Sequence, residues 1–257
     1  MTTGIYMSGT GNTKHCVTEL LSIIAPEAEA VPIESADAAK RIKESSTIVL
    51  AYPTQFSNAP YMVRDFIEKN KSLWKNKKVL CMATMGAFSG DGAGCSARLL
   101  RKYGAEIIGG LHIRMPDSVC DNKMLKKTLE ENRQLIKEAD RKIADVGRKI
   151  TEEGIYPKDG LSFGAHIAGL VGQRLWFYGK TANYTDKLKI SDKCIGCGKC
   201  SADCPMNNLS IVNGKAVSKN KCAMCYRCIS HCPVQAITLL GDRVYEQCTY
   251  EKYGQKS

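Results

Sequence analysis

Eight cysteines toward the C-terminal end fall into two runs of identical spacing. These are Cys194-x2-Cys197-x2-Cys200-x3-Cys204-Pro205 and Cys222-x2-Cys225-x2-Cys228-x3-Cys232-Pro233. Every cysteine of the first run recurs in the second at a constant offset of 28 residues, the mark of an internal duplication. Thirteen cysteines in all would suggest disulfides in a small secreted chain, but tight clusters of this kind suit metal in a reducing compartment. Structural zinc usually takes two separated cysteine pairs, not two runs of three that each end in Cys-Pro.

The double run resembles the bacterial two-cluster ferredoxin pattern, in which three closely spaced thiolates hold one 4Fe-4S cluster and the fourth, before proline, crosses to the other. The resemblance implies one cluster on Cys194, Cys197, Cys200 and Cys232, and a second on Cys222, Cys225, Cys228 and Cys204. Neither half completes its site alone, so folding and metal binding are coupled. Ile195, Leu209, Ile211, Val217, Ile229, Ile237 and Leu239 are expected to exclude water around the clusters. Gly196, Gly198 and Ala223 are expected to permit amide-to-sulfur hydrogen bonds.

At 257 residues the chain has room for two domains. Over residues 1–155 short β-type runs alternate with helical patterns, the signature of a parallel sheet covered on both faces. Strands are expected at Gly4 to Ser8, Glu29 to Ile33, Thr47 to Tyr52, Lys78 to Thr84 and Glu106 to Ile113. Helices are expected at Thr13 to Ile24, Ala36 to Ser45, Pro60 to Asn70 and Cys95 to Tyr103. A long closing helix is expected over Asn122 to Thr151, with one apolar stripe facing the sheet.

Ligands of an open α/β sheet bind beyond the carboxyl ends of the strands. After the first strand, Ser8-Gly9-Thr10-Gly11-Asn12-Thr13 leads straight into a helix, which makes a phosphate cradle: glycines admit the anion, Ser8, Thr10 and Thr13 can donate hydroxyl bonds, and the dipole of the helix start favours negative charge. The loop lacks both the Walker lysine spacing and the dinucleotide fingerprint, and it closely resembles the phosphate loop of flavodoxins, which implies FMN. Pro53, Thr54, Gln55 and Phe56 after the third strand, and Thr84, Met85, Gly86 and Phe88 after the fourth, are the residues expected around the flavin ring. The implied fold is a flavodoxin-like doubly wound sheet of order 2-1-3-4-5 with a small α+β two-cluster ferredoxin domain. Cys16, Cys81, Cys95 and Cys120 are read as structural.

Residues 156–186 form a connector, read as helical and buried between the domains, with a homodimer contact as an alternative. His166 within it is read as a residue satisfied by local hydrogen bonds. Residues 187–246 are the ferredoxin domain, and 247–257 a polar tail expected to be mobile, leaving Cys248 exposed unless it docks. No stretch is apolar enough to span a membrane, no signal peptide is visible, and a cytoplasmic location is expected. The formal charge of +11 falls to about +5 with two clusters and a flavin phosphate in place, which removes the case for nucleic acid.

The whole chain resembles flavodoxin-ferredoxin fusion proteins of anaerobic bacteria and archaea. The resemblance implies an electron-transfer protein that couples one-electron and two-electron chemistry, with ferredoxin-type redox partners. The alternative is an FMN-dependent reductase of a quinone, nitro compound or oxidant, fed through its own clusters. No acid or base side chain stands out near the flavin loops.

Overall fold

The computed structural model describes residues 1–175 and 183–254. Five parallel strands form one sheet of order β2-β1-β3-β4-β5: β1 Thr2–Tyr6, β2 Ala30–Pro32, β3 Thr47–Pro53, β4 Lys78–Met85 and β5 Glu106–Arg114. The centre is the apolar runs of β3 and β4, whose inner residues are all buried, as strands covered on both faces require. On one face α1 (Asn12–Ile24) and α5 (Leu129–Arg148) pack over Val49, Leu80, Met82 and Leu111. On the other, α2 (Ala38–Glu44), α3 (Tyr61–Lys69) and α4 (Gly92–Lys102) cover Ile48, Leu50, Tyr52 and Cys81.

The closing helix is shorter than its apolar pattern suggests. A 3-10 turn occupies Lys123–Leu125, and α5 starts at Leu129 behind a capping box in which Thr128 and Glu131 satisfy each other's backbone amides. Such a cap stabilises a helix by about 1 kcal/mol. Leu125 and Leu129 therefore lie outside the buried stripe and remain exposed.

Two small antiparallel pairs build the C-terminal unit, β6 (Lys189–Ile190) with β9 (Ile237–Thr238) and β7 (Leu209–Val212) with β8 (Lys215–Ser218). The 28-residue duplication is written into the backbone. Left-handed residues recur in register: Gly196 with Met224, Gly198 with Tyr226, and Asn207 with Gln235. Leu209, Ile229, Ile237 and Leu239 are buried as expected, whereas Ile195, Ile211 and Val217 are exposed, because a unit this small has too little interior for all its apolar residues.

The connector departs from expectation. Its described part is helical, α6 (Phe163–Gly169) running into a wider turn at Leu170–Arg174. Only one side is buried: Gly169 and Arg174 face Asp91, while Phe163, Ile167, Val171 and Leu175 form an exposed row at four-residue intervals. The rest of the predicted helix, Trp176 to Tyr178, lies outside the described residues. His166 is satisfied locally, its Nδ1 standing 2.9 Å from Asp91 Oδ2.

The tail docks. Tyr250 N donates to Thr10 O at 2.7 Å, its ring stacks on His15 at 4.1 Å, and just ahead of the tail Tyr245 N donates to Cys120 O at 2.9 Å. Cys248 is buried as a result. Among the described residues no helix is long and apolar enough to cross a membrane.

Candidate functional site

Two cavities lie within the C-terminal unit, each ringed by four thiols. One is lined by Cys194, Cys197 and Cys200 from the first run and Cys232 from the second. The other is lined by Cys222, Cys225 and Cys228 together with Cys204. Each fourth thiol thus comes from the opposite run. Among the described residues no three Cys, His, Asp or Glu side chains converge tightly enough for a single metal ion.

Backbone amides point at the sulfurs in a pattern that repeats with the sequence. Asn208 N donates to Cys204 Sγ and Ala236 N to Cys232 Sγ, both at 3.3 Å, and Met224 N donates to Cys222 Sγ at 3.4 Å. Amides of Ala216 and Gly196 hold the Cys194 thiol below its usual pKa. Burial, and then the neighbouring thiols, push Cys228 well up. Two rings of four crowded thiols, from exposed Cys197 to buried Cys228, with backbone amides turned to several of the sulfurs, are sites whose thiolates a cationic iron core would neutralise, so these residues fit a cluster by their chemistry.

The second cavity lies against the sheet edge. The segment Ala223 to Tyr226 covers the loop after β1, where a methyl group on Gly9 would collide with the Cys225 carbonyl oxygen. Arg227 donates to Ser8 O at 2.8 Å and pairs with Glu34 at 2.7 Å. Gln55 Nε2 donates to the carbonyls of Ala223 and Met224 at 2.9 and 3.2 Å. One loop of the C-terminal unit therefore touches both the phosphate-type loop and the loop after β3.

Within that first loop, Gly11 is left-handed, and α1 begins at Asn12 with neither a side-chain cap nor an acidic residue in its first turn. An uncapped helix start fits an anion such as a phosphate, and the docked tail sets Tyr250 and the Glu251 carboxylate beside Gly11 at that point. Thr13 and Thr84 share a hydroxyl hydrogen bond of 2.8 Å, and Thr10 Oγ1 donates to Ser118 Oγ at 3.2 Å. Pro53 pairs with Thr84 in the sheet register, and Thr54 N donates to Thr84 O at 2.8 Å.

The other expected ring residues are spread more widely. Phe56 and Ser57 are left-handed, Met85 O accepts from Met115 N, and Gly86 lies against Asp117. Phe88 is half-exposed and lies near Gly172 of the connector, away from the loops that meet the C-terminal unit.

The loop after β5 belongs to the same edge and was not singled out from sequence. Asn12 Nδ2 donates to Pro116 O at 2.8 Å, Ser118 meets Thr10, and burial raises the Asp117 carboxyl. Its position beyond a fifth strand's carboxyl end was the available signal. A separate cavity of about 670 Å³ opens between α3, α4 and the connector, lined by Asn58, Arg64, Cys95, Arg98, Leu99 and Arg174 among others. Beneath it the fully buried Asp91 carboxylate pairs with Arg98 at 2.6 Å and Arg174 at 2.9 Å.

Residues 187–233 match the model of the 4Fe-4S dicluster domain. No curated protein matches the chain. Among solved structures, the flavodoxin of Megasphaera elsdenii is 22% identical, with 55% of this chain and 99% of that one covered and a TM-score of 0.40. The FMN-bound flavodoxin of Fusobacterium nucleatum is 20% identical over 59% of this chain and 98% of that one, with a TM-score of 0.41. Rubredoxin oxygen:oxidoreductase of Desulfovibrio gigas is 14% identical over 56% of this chain and 36% of that one, with a TM-score of 0.40. The chain thus joins a 4Fe-4S dicluster domain to a sheet with the 2-1-3-4-5 order of flavodoxin-like proteins.

Proposed function

We propose that this is an electron-transfer protein that couples one-electron and two-electron redox chemistry through two 4Fe-4S clusters and FMN. One cluster is assigned to Cys194, Cys197, Cys200 and Cys232, the other to Cys204, Cys222, Cys225 and Cys228. FMN is assigned by its phosphate to Ser8 through Thr13, with its ring toward Gln55 and Thr84. FMN, when bound, supplies a centre able to take one electron or two, and each cluster supplies single-electron exchange.

The observation that carries the reading is the seating of the second thiol-ringed cavity on the phosphate-type loop through Cys225 and Gly9. Arg227 and Gln55 fix that seat, and the buried Ala223 and Tyr226 keep water out of it. The first cavity opens beside exposed Cys197 and Ile195, the side for a redox partner protein to approach. The row Phe163, Ile167, Val171 and Leu175 is the surface for the homodimer reading, which sedimentation of the holoprotein checks.

An anaerobic reductive titration followed by visible absorbance and EPR tests the function, with iron, sulfide and FMN quantified beforehand. About eight irons per FMN, all responding to reductant, are expected. Flavin-free or zinc-loaded protein overturns the reading. The cavity lined by Arg64, Arg98 and Arg174 favours a second reading, a flavin-dependent reductase of a small acceptor, which turnover with quinones and nitro compounds would distinguish from a carrier.

A further inference from the structure

The loop after β5 and the returning tail bring together two thiols that neither cavity uses. Cys120 is fully buried and Cys248 is 3% exposed. The Cys120 sulfur faces both the thiol and the backbone amide of Cys248. Ser230 ties the two positions together: its hydroxyl stands 3.0 Å from Cys120 Sγ and donates to Cys248 O at 3.1 Å.

The pair is chemically unequal. Lys126 Nζ donates to Cys248 Sγ at 2.8 Å, and no lysine or arginine hydrogen bond to Cys120 is seen among the described residues. Hydrogen bonds from Cys120 and Lys126 draw the Cys248 thiol down to about 6, whereas its hydrogen bond to Cys248 and its burial push Cys120 up. A stabilised thiolate beside a neutral thiol is the arrangement of an attacking sulfur with a resolving partner.

We propose that Cys120 and Cys248 are a redox-active pair, oxidised to an intramolecular disulfide by a small hydroperoxide. The Cys248 thiolate attacks one peroxide oxygen; the O–O bond breaks as the S–O bond forms, and the leaving hydroxide takes up the proton that Cys248 had released. Cys120 then attacks the sulfenic sulfur; the S–S bond forms, the S–O bond breaks, and a second water leaves with the Cys120 proton. Two thiols are oxidised by two electrons and one hydrogen peroxide is reduced to two waters. Burial of both sulfurs limits the oxidant to a molecule of about that size and excludes bulky disulfides.

The test exposes the anaerobic holoprotein to substoichiometric hydrogen peroxide, then unfolds it, alkylates it and maps its peptides by mass spectrometry. A disulfide joining the Cys120 and Cys248 peptides is expected before any of the eight thiols of the two runs is modified. Lys126→Met should slow its formation roughly tenfold, and Cys120→Ser should leave Cys248 as a sulfenic acid that a dimedone-type probe present during unfolding traps. The proposal fails if both cysteines are recovered as free thiols, if the eight clustered thiols react first, or if Cys248 runs on to sulfinic acid with Cys120 intact. It fails equally if Lys126→Met reacts at the native rate. The peptide map reads the pair whether or not the other thiols hold clusters, so its failure is distinct from failure of the function proposed above.

Discussion

The Tyr226 hydroxyl donates to Asp121 Oδ1 at 2.9 Å, while Asp121 Oδ2 accepts the amides of Leu239 and Leu240 at 2.6 and 2.9 Å. One buried carboxylate in the loop after β5 thus gathers three donors from the dicluster unit. Asp121→Ala leaves all three without their acceptor. A loss of about 3 kcal/mol is expected, read as a lower denaturant midpoint of the holoprotein, with earlier proteolytic cleavage between the two units.

Gly9 is a contact position. Any Cβ there meets the Cys225 carbonyl, which is backbone and cannot swing aside. Gly9→Ala should therefore destabilise the docked arrangement by about 1–3 kcal/mol. The unfolding midpoint should fall, whereas the same substitution at Gly164, where the added methyl meets nothing within 4 Å, should cost much less.

The crossed thiol sets make an iron count informative. Cys232 lies in the second run but lines the first cavity. In Cys232→Ser, iron should fall from about eight to about four per chain, and the surviving EPR signal should come from the site of Cys204, Cys222, Cys225 and Cys228. Loss of both clusters in a folded protein would contradict the assignment.

His112 connects β5 to the start of α4, its Nε2 accepting from Ala93 N at 3.2 Å. Burial, reinforced by Lys142, holds its imidazole below the ordinary histidine value. Above the unfolded value of about 6.5 both states are neutral, and this residue exerts no pH effect. As pH falls below that value the unfolded chain binds the proton first, so stability declines. Denaturant midpoints should drop between about pH 7 and 5.5, and His112→Gln should flatten that slope.

The sheet was legible because continuous apolar runs such as Ile48 to Tyr52 leave a buried parallel strand as the natural reading. The 28-residue offset of the cysteines marked a duplication, and the structure carries it further into the backbone, where left-handed residues recur at the same offset. Apolarity misled where interior was scarce: Ile195, Ile211 and Leu129 look like core residues and face solvent. The capping box Thr128-x-x-Glu131 was the better guide to where α5 starts. The tail was misread for the opposite reason. Its polar composition hides Cys248 and Tyr250, whose partners Lys126, His15 and Thr10 lie far away in the chain, and periodicity is blind to such contacts.

That return of the tail bears on synthesis. Ser8 waits for Arg227, 219 residues on, and Thr10 waits later still for Tyr250. On the ribosome the first loop to emerge is among the last to acquire its neighbours, so the nascent sheet spends most of translation with that edge bare to the cell. A chaperone or the flavin itself would meet the edge there before the chain's own final turn closes over it.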